Sequence, residues 1–320
     1  MEKIQVAVLL FFAALFPAHA QRTEPVPFGD FEHWTVRHIQ ESAILGGTVK
    51  TLYVVGPDET IDGNRTYDYS RTIWASSNAY ARVSGVTKTS VTVEPDNGPT
   101  GRCARLDTRF AECKVAGVVE IKVLATGALY WGRMLEPVTG VKNPYAFMDW
   151  GIPFTKRPSA LVLDTRAELP DTGTLVRGTT FSTKEFPGKD PCQIMLLLQH
   201  RWEDENGNIH ALRVGTAVRR IDKTTDGWVK GFRVPVIYGD ARQNAGFRDY
   251  MGLLQGSRTL YAVNSRGKKK PILEEGWADA DADAPVTHAV LQITAGSRGA
   301  FTGALGNTLW VDNIRLEYTD

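Results

Sequence analysis

The strongest constraint on this chain is its punctuation. Short β-rich runs are separated by clusters of Gly, Pro, Asn and Asp, with no amphipathic helix longer than about three turns. The runs include Val91–Val93, Val115–Leu124, Leu161–Leu163, Ile194–Trp202, Leu212–Val218, Phe232–Tyr238, Ala289–Thr294 and Thr308–Tyr318. In the last, Leu309, Val311, Ile314, Leu316 and Tyr318 are set off by polar residues. Their parity slips at Asp312-Asn313, which predicts a bulge. Glu203 to Asn208 reads as a hairpin tip. Strand without helix argues against α/β nucleotide folds, which alternate the two, and no G-x-G-x-x-G or Walker-type loop follows a strand. The pattern predicts an all-β jelly roll, which manages sheet edges by wrapping two sheets face to face. No repeat or linker divides the chain, so residues 21–320 are expected to form a single jelly-roll β-sandwich domain. Its longest loops are expected at about 52–82 and 132–158, and long loops inside a compact domain are commonly functional.

Charge narrows the partners. Basic and acidic residues number 37 and 36, so no global field favours nucleic acid or an acidic membrane surface. Lys268-Lys269-Lys270 is too short for a nucleic-acid footprint. Ile4 to Phe16 is apolar but short of the roughly 20 residues that span a bilayer. It ends in Pro17-Ala18-His19-Ala20, so residues 1–20 read as a secretory signal peptide cleaved after Ala20. Periplasmic or extracellular location is expected, without an N-terminal lipid anchor, since no cysteine sits at the cut. Cys103 and Cys113 fall on segments that could pair as strands, so a hairpin disulfide is open, while Cys192 is expected to be inert.

Three segments could carry chemistry. Ile73-Trp74-Ala75-Ser76-Ser77-Asn78 offers an indole face beside hydroxyls and an amide, the mixture that sugars need; Trp74 would stack while Ser77 and Asn78 pair with hydroxyls. Met148 to Pro158 is fixed by Gly151, Pro153 and Pro158 as a rigid loop carrying Asp149, Phe154 and Arg157, with Arg157 free to meet a ligand or Asp164. The third is Phe28-Gly29-Asp30-Phe31-Glu32-His33-Trp34, which reads as an entry strand. The Asp279-Ala280-Asp281-Ala282-Asp283 stretch fails the EF-hand pattern, because Ala284 and Val290 replace the required Gly and Glu. Scattered histidines and the lack of C-x-x-C disfavour zinc. A glycosidase needs two carboxyls across the scissile bond, and Asp149, Asp164, Glu203 and Glu205 are available. No G-x-S-x-G elbow supports an esterase.

These segments, in their order and spacing, resemble the putative carbohydrate metabolism domain family (PCMD), found mainly in Bacteroidetes. The resemblance runs from about Phe28 to Tyr318. It rests on Gly29-Asp30-Phe31-Glu32 with Trp34, on Trp74 to Asn78, and on Ala125 to Gly132. It continues through Gly151 to Pro158 and the stretch Ser297 to Ile314, which contains Val311-Asp312-Asn313-Ile314. It implies a jelly-roll β-sandwich of the galactose-binding or concanavalin-like type, exported and linked to glycan use, with a sugar pocket. The sequence departs from the family pattern after Pro158, at Asp164 to Pro170. Similar carbohydrate-binding jelly rolls place their first and last strands side by side and often bind a structural calcium there. Asp30, Glu32 and Asp312 would be the candidate ligands. Three functions remain open: a glycan-binding module, a glycoside hydrolase or lyase with Asp149 among its suspects, and a structural or adhesive surface component.

Overall fold

The computed structural model describes residues 21–115, 119–140, 143–179, 182–279 and 284–319. Residues 1–20, expected from sequence to be a signal peptide, and the acidic run after Asp279 lie outside the described residues. Eight strands carry the architecture: β1 (Arg102–Val115), β2 (Ala128–Met134), β3 (Ala160–Glu168), β4 (Cys192–Glu203), β5 (Ile209–Ile221), β6 (Val229–Pro235), β7 (His288–Thr294) and β8 (Thr308–Thr319). They form two sheets, in the orders β1-β8-β3-β6 and β2-β7-β4-β5, with every neighbour antiparallel. Successive strands mostly alternate between sheets, which is the jelly-roll path. Among the described residues, helical structure is confined to short 3-10 turns, and no helix is long and apolar enough to cross a membrane.

The core lies between the sheets. Leu161, Leu163, Leu309, Val311 and Leu106 from one sheet meet Leu129, Trp131, Leu196, Leu291 and Ile293 from the other. The second sheet is buried on its outer face as well. Met195, Leu197, Val218 and Val290 pack under Met251, Leu254, Leu260 and Ile272. That explains why Ile194–Leu198 is an unbroken apolar run: with both faces covered, alternation disappears. A buried ion pair fastens this outer layer. Arg213 grips Glu274, which also accepts from the Leu254 amide and the Gln199 amide nitrogen. A charge this deep is tolerable only when its lone pairs are filled.

Ahead of β1 the chain builds a small three-stranded sheet. Trp34–Gln40 lies between antiparallel Val49–Val55 and parallel Glu59–Asp62. Gln21–Pro25 pairs with the end of β8, so the first and last strands are neighbours.

Several expectations need correcting. Residues 52–82 are not one loop: they include strands at Glu59–Asp62 and Trp74–Ser76. Val115 and Leu124 belong to different strands, since β1 ends at Val115 and Val119–Thr126 returns beside it. Phe28 to His33 is a turn, not a strand. Gly29 is clamped between β8 and Val26, where a Cβ would sit 3.0 Å from the carbonyl oxygens of both Ile314 and Val26. Cys103 and Cys113 share β1, roughly 30 Å apart at about 3.3 Å per residue, so they cannot be bridged. Cys103 is a buried free thiol that burial pushes up to about 12. The bulge is where the parity slip put it: Val162 faces Arg315 and Asp164 faces Asp312, leaving an extra residue in β8.

Candidate functional site

Two stretches from the expected long-loop regions come together beside β2. Thr66–Tyr69, with Ser70, Thr72 and Ile73, forms one wall of a cleft of about 630 Å³; Gly132–Glu136, Asp149 and Gly151–Pro153 form the other. That volume falls within the usual range for a small-molecule site, about 300–1,000 Å³.

Backbone geometry sets up its centre. Met148–Trp150 pairs with the end of β2, placing Arg133 directly opposite Asp149. The strands approach so closely that a Cβ on Gly132, at φ +140°, would collide with the Asp149 carbonyl oxygen. Gly151, at φ +91°, leaves room for the Arg201 guanidinium behind it. Cross-strand opposite charges then meet. Arg133 Nε donates to Asp149 Oδ2 at 2.6 Å, and the Val263 amide donates to Asp149 Oδ1 at 2.8 Å. Arg133 is half-exposed, and its Nη groups have no hydrogen bond within the described residues.

The base of the cleft is a second, buried pair. Arg37 Nη1 and Nη2 donate to the two Glu136 oxygens at 2.8 Å each, and the Tyr67 amide donates to Glu136 Oε2 at 3.1 Å. Tyr67 and Tyr69 meet edge to face, 4.8 Å between centroids. Burial, with Glu136 nearby, drives the Tyr69 hydroxyl far above its ordinary range, so it stays protonated. Asp68 accepts from the Ser70 amide, which lowers its carboxyl.

Of the residues expected from sequence, Asp149 lies in this cleft. Phe154 and Arg157 follow it in the chain but do not line it. The Phe154 ring packs 6.2 Å from Trp131, and Arg157 sits over the Tyr238 ring while donating to the Ala284 carbonyl. Asp164 is taken by the Gly231 amide and the Asn313 side chain, not by Arg157. Trp74, Ser77 and Asn78 face the interior. Trp74 is fully buried against Phe31 and Trp131, and its indole N–H donates to the Pro27 carbonyl at 2.8 Å, so no face is open for stacking. Ser77 Oγ accepts from the Ala128 amide and bonds Thr92 Oγ1. Asn78 donates to the Tyr53 and Val93 carbonyls and accepts from the Thr92 and Val93 amides, which uses its full capacity. Sequence reasoning missed Arg133, Tyr67, Asp68, Tyr69 and Glu136. The available signal was Tyr67-Asp68-Tyr69-Ser70, a polar aromatic cluster inside a segment already marked as long.

None of the calcium candidates Asp30, Glu32 and Asp312 lines this cleft. Glu32 Oε1 accepts from the Arg102 amide, and Asp30 Oδ1 faces the Glu32 amide at 3.5 Å. Asp312 is 1% exposed; its Oδ1 accepts from the Asn313 amide while Oδ2 has no partner. Burial first, then the carboxylates of Asp164, Glu32 and Asp30, push Asp312 up to about 7. Calcium asks for six to eight oxygens. Among the described residues, no three His, Cys, Asp or Glu side chains gather closely enough to share an ion.

The family model for the putative carbohydrate metabolism domain matches residues 31–250, a span that encloses the whole cleft. The chain belongs to this family. No curated protein matches it. Among solved structures, it is similar to a Bacteroides thetaiotaomicron protein described as a putative glycoside hydrolase. The TM-score is 0.52 and the identity 22%, over 89% of this chain and 71% of that one. A Bacteroides vulgatus protein of the same description aligns at a TM-score of 0.44 and 14% identity, over 93% and 96%. At such identities the first likeness shows the fold of this PCMD chain alone.

Proposed function

We propose that this PCMD protein binds carbohydrate in the Thr66–Pro153 cleft without cleaving it. The observation that carries the reading is the cleft's composition: tyrosines, threonine and serine hydroxyls and carboxylates beside a half-exposed arginine whose Nη groups have no hydrogen bond among the described residues. Sugar hydroxyls both donate and accept, and such a wall offers both. Family membership supports a carbohydrate ligand. The leader ending at Ala20 supports export as part of the same proposal.

A hydrolase reading has one observation in its favour: Asp149 and Glu136 both line the cleft, as a glycosidase's two carboxyls would. Against it, both carboxylates are held by arginines, and Glu136 has its two oxygens filled. A general acid or nucleophile must reach the scissile bond, and these oxygens are already engaged by protein donors.

The test is affinity electrophoresis and calorimetry across a polysaccharide panel, with reducing-end release scored in the same samples. Arg133→Ala should weaken binding about tenfold or more, the usual effect of removing hydrogen bonds from a charged group. Trp202 is 38% exposed on the β4–β5 hairpin, and Trp202→Ala should leave binding intact. Reducing ends released by the parent and lost on Asp149→Asn would replace binding with hydrolysis. Binding lost on Trp202→Ala and kept on Arg133→Ala would move the site to the hairpin.

A further inference from the structure

The ionic groups of the cleft are almost all cancelled before any ligand arrives. Asp149 neutralises Arg133 from 2.6 Å, and Arg37 neutralises Glu136 from below. Asp68, exposed on the rim, is the lining charge without an ion-pair partner among the described residues, and it is negative. Arg71 nearby is turned to Glu59.

Such a wall is poorly suited to an anion. A carboxylate or sulfate entering it loses hydration and meets no uncompensated cation, while Asp68 repels it. The Nη1/Nη2 fork of Arg133 stays open, but its charge is already offset by Asp149 at Nε, so a carboxylate would gain hydrogen bonds there without a net cation to pair with. What remains on Arg133 is a set of Nη–H donors suited to hydroxyl and ring oxygens. Asp68 and the hydroxyls of Thr66 and Ser70 complete the wall with acceptors.

We infer that the cleft selects an uncharged glycan, with the Arg133–Asp149 pair reading sugar hydroxyls as a neutral donor–acceptor unit. This rests on the cleft being the carbohydrate site.

The probes are neutral polysaccharides (β-glucan, mannan, xylan) and acidic ones (polygalacturonate, alginate, chondroitin sulfate). Affinity is measured at about 50 and about 500 mM NaCl, where screening separates ionic from neutral recognition. The proteins are the full chain and the R133Q/D149N double variant, which keeps a donor beside an acceptor and removes both charges. Melting curves accompany both, and single Arg133→Gln replaces the double variant if that fails to fold. The expected result is a neutral polysaccharide bound with less than about threefold change across salt, and held by the variant within about tenfold of the parent. Tighter binding of an acidic polymer, falling more than about tenfold at high salt, overturns the inference while leaving the cleft in place. So does a folded variant weakened beyond about tenfold for a neutral glycan. No binding to either class overturns the cleft reading itself.

Discussion

Asp312→Asn is expected to stabilise the protein at about pH 8. In β8 this side chain is 1% exposed, stands opposite Asp164, and leaves Oδ2 without a partner. Burial and the carboxylates of Asp164, Glu32 and Asp30 raise it to about 7, against about 3.9 in an unfolded chain. Between those values the unfolded chain gives up a proton that the folded chain keeps. Stability from this group is therefore complete below about pH 4 and lost as pH rises to about 7. Three units correspond to about 4 kcal/mol, and residual hydration brings the expected loss to about 2–4 kcal/mol. Asparagine keeps the shape, carries no charge, and turns the orphaned oxygen into a donor facing carboxylates. Urea denaturation of parent and variant should give matching stabilities near pH 4 and a variant more stable by about 2–4 kcal/mol near pH 8. A variant less stable at pH 8, with a parent that calcium protects, would refute this account: it would mean that Asp312 holds a cation rather than a proton.

Other outcomes follow from the same packing. Trp74→Ala should cost about 3–5 kcal/mol in denaturant melts, as emptied aromatic core sites do, and equal glycan affinity in a folded variant is the expected companion result. Glu136→Ala strands the Arg37 guanidinium at the base of the cleft, and a loss of about 3–5 kcal/mol is expected; a loss under about 1 would show that water reaches the pair. Burial, helped by Arg201, holds His288 down at about 4, so this group's contribution to stability should fall as pH drops from about 6.5 towards 4, by up to about 3 kcal/mol, opposing the Asp312 contribution over the same range. His288→Gln should remove that slope.

The fold was more legible than the site. Alternation in β8, its slip at Asp312-Asn313 and the turn clusters defined a two-sheet β protein, because strand period and turn chemistry are local properties. The apolar run Ile194–Leu198 carried further information, since a strand covered on both faces loses its alternation. Side-chain direction in short strands was not legible. Trp74–Ser76 is three residues long, and whether its indole faces sugar or core depends on pairing with Leu129–Trp131, which no local pattern encodes. Asn78 looked like a ligand group because an amide suits a hydroxyl as well as it suits the backbone groups that fill it here. Arg133 stayed hidden because its role arises from a strand partner sixteen residues away, brought close by two glycines. The Cys103–Cys113 pairing misled because one long strand can carry two cysteines that a hairpin would have joined.

The most direct test is hydrogen–deuterium exchange with a saturating bound oligosaccharide. Binding in the cleft predicts new amide protection in 66–73, 132–136 and 149–153, and none at Glu203–Asn208 or beside Asp312. Protection at the hairpin, with those three segments unchanged, would contradict the central claim.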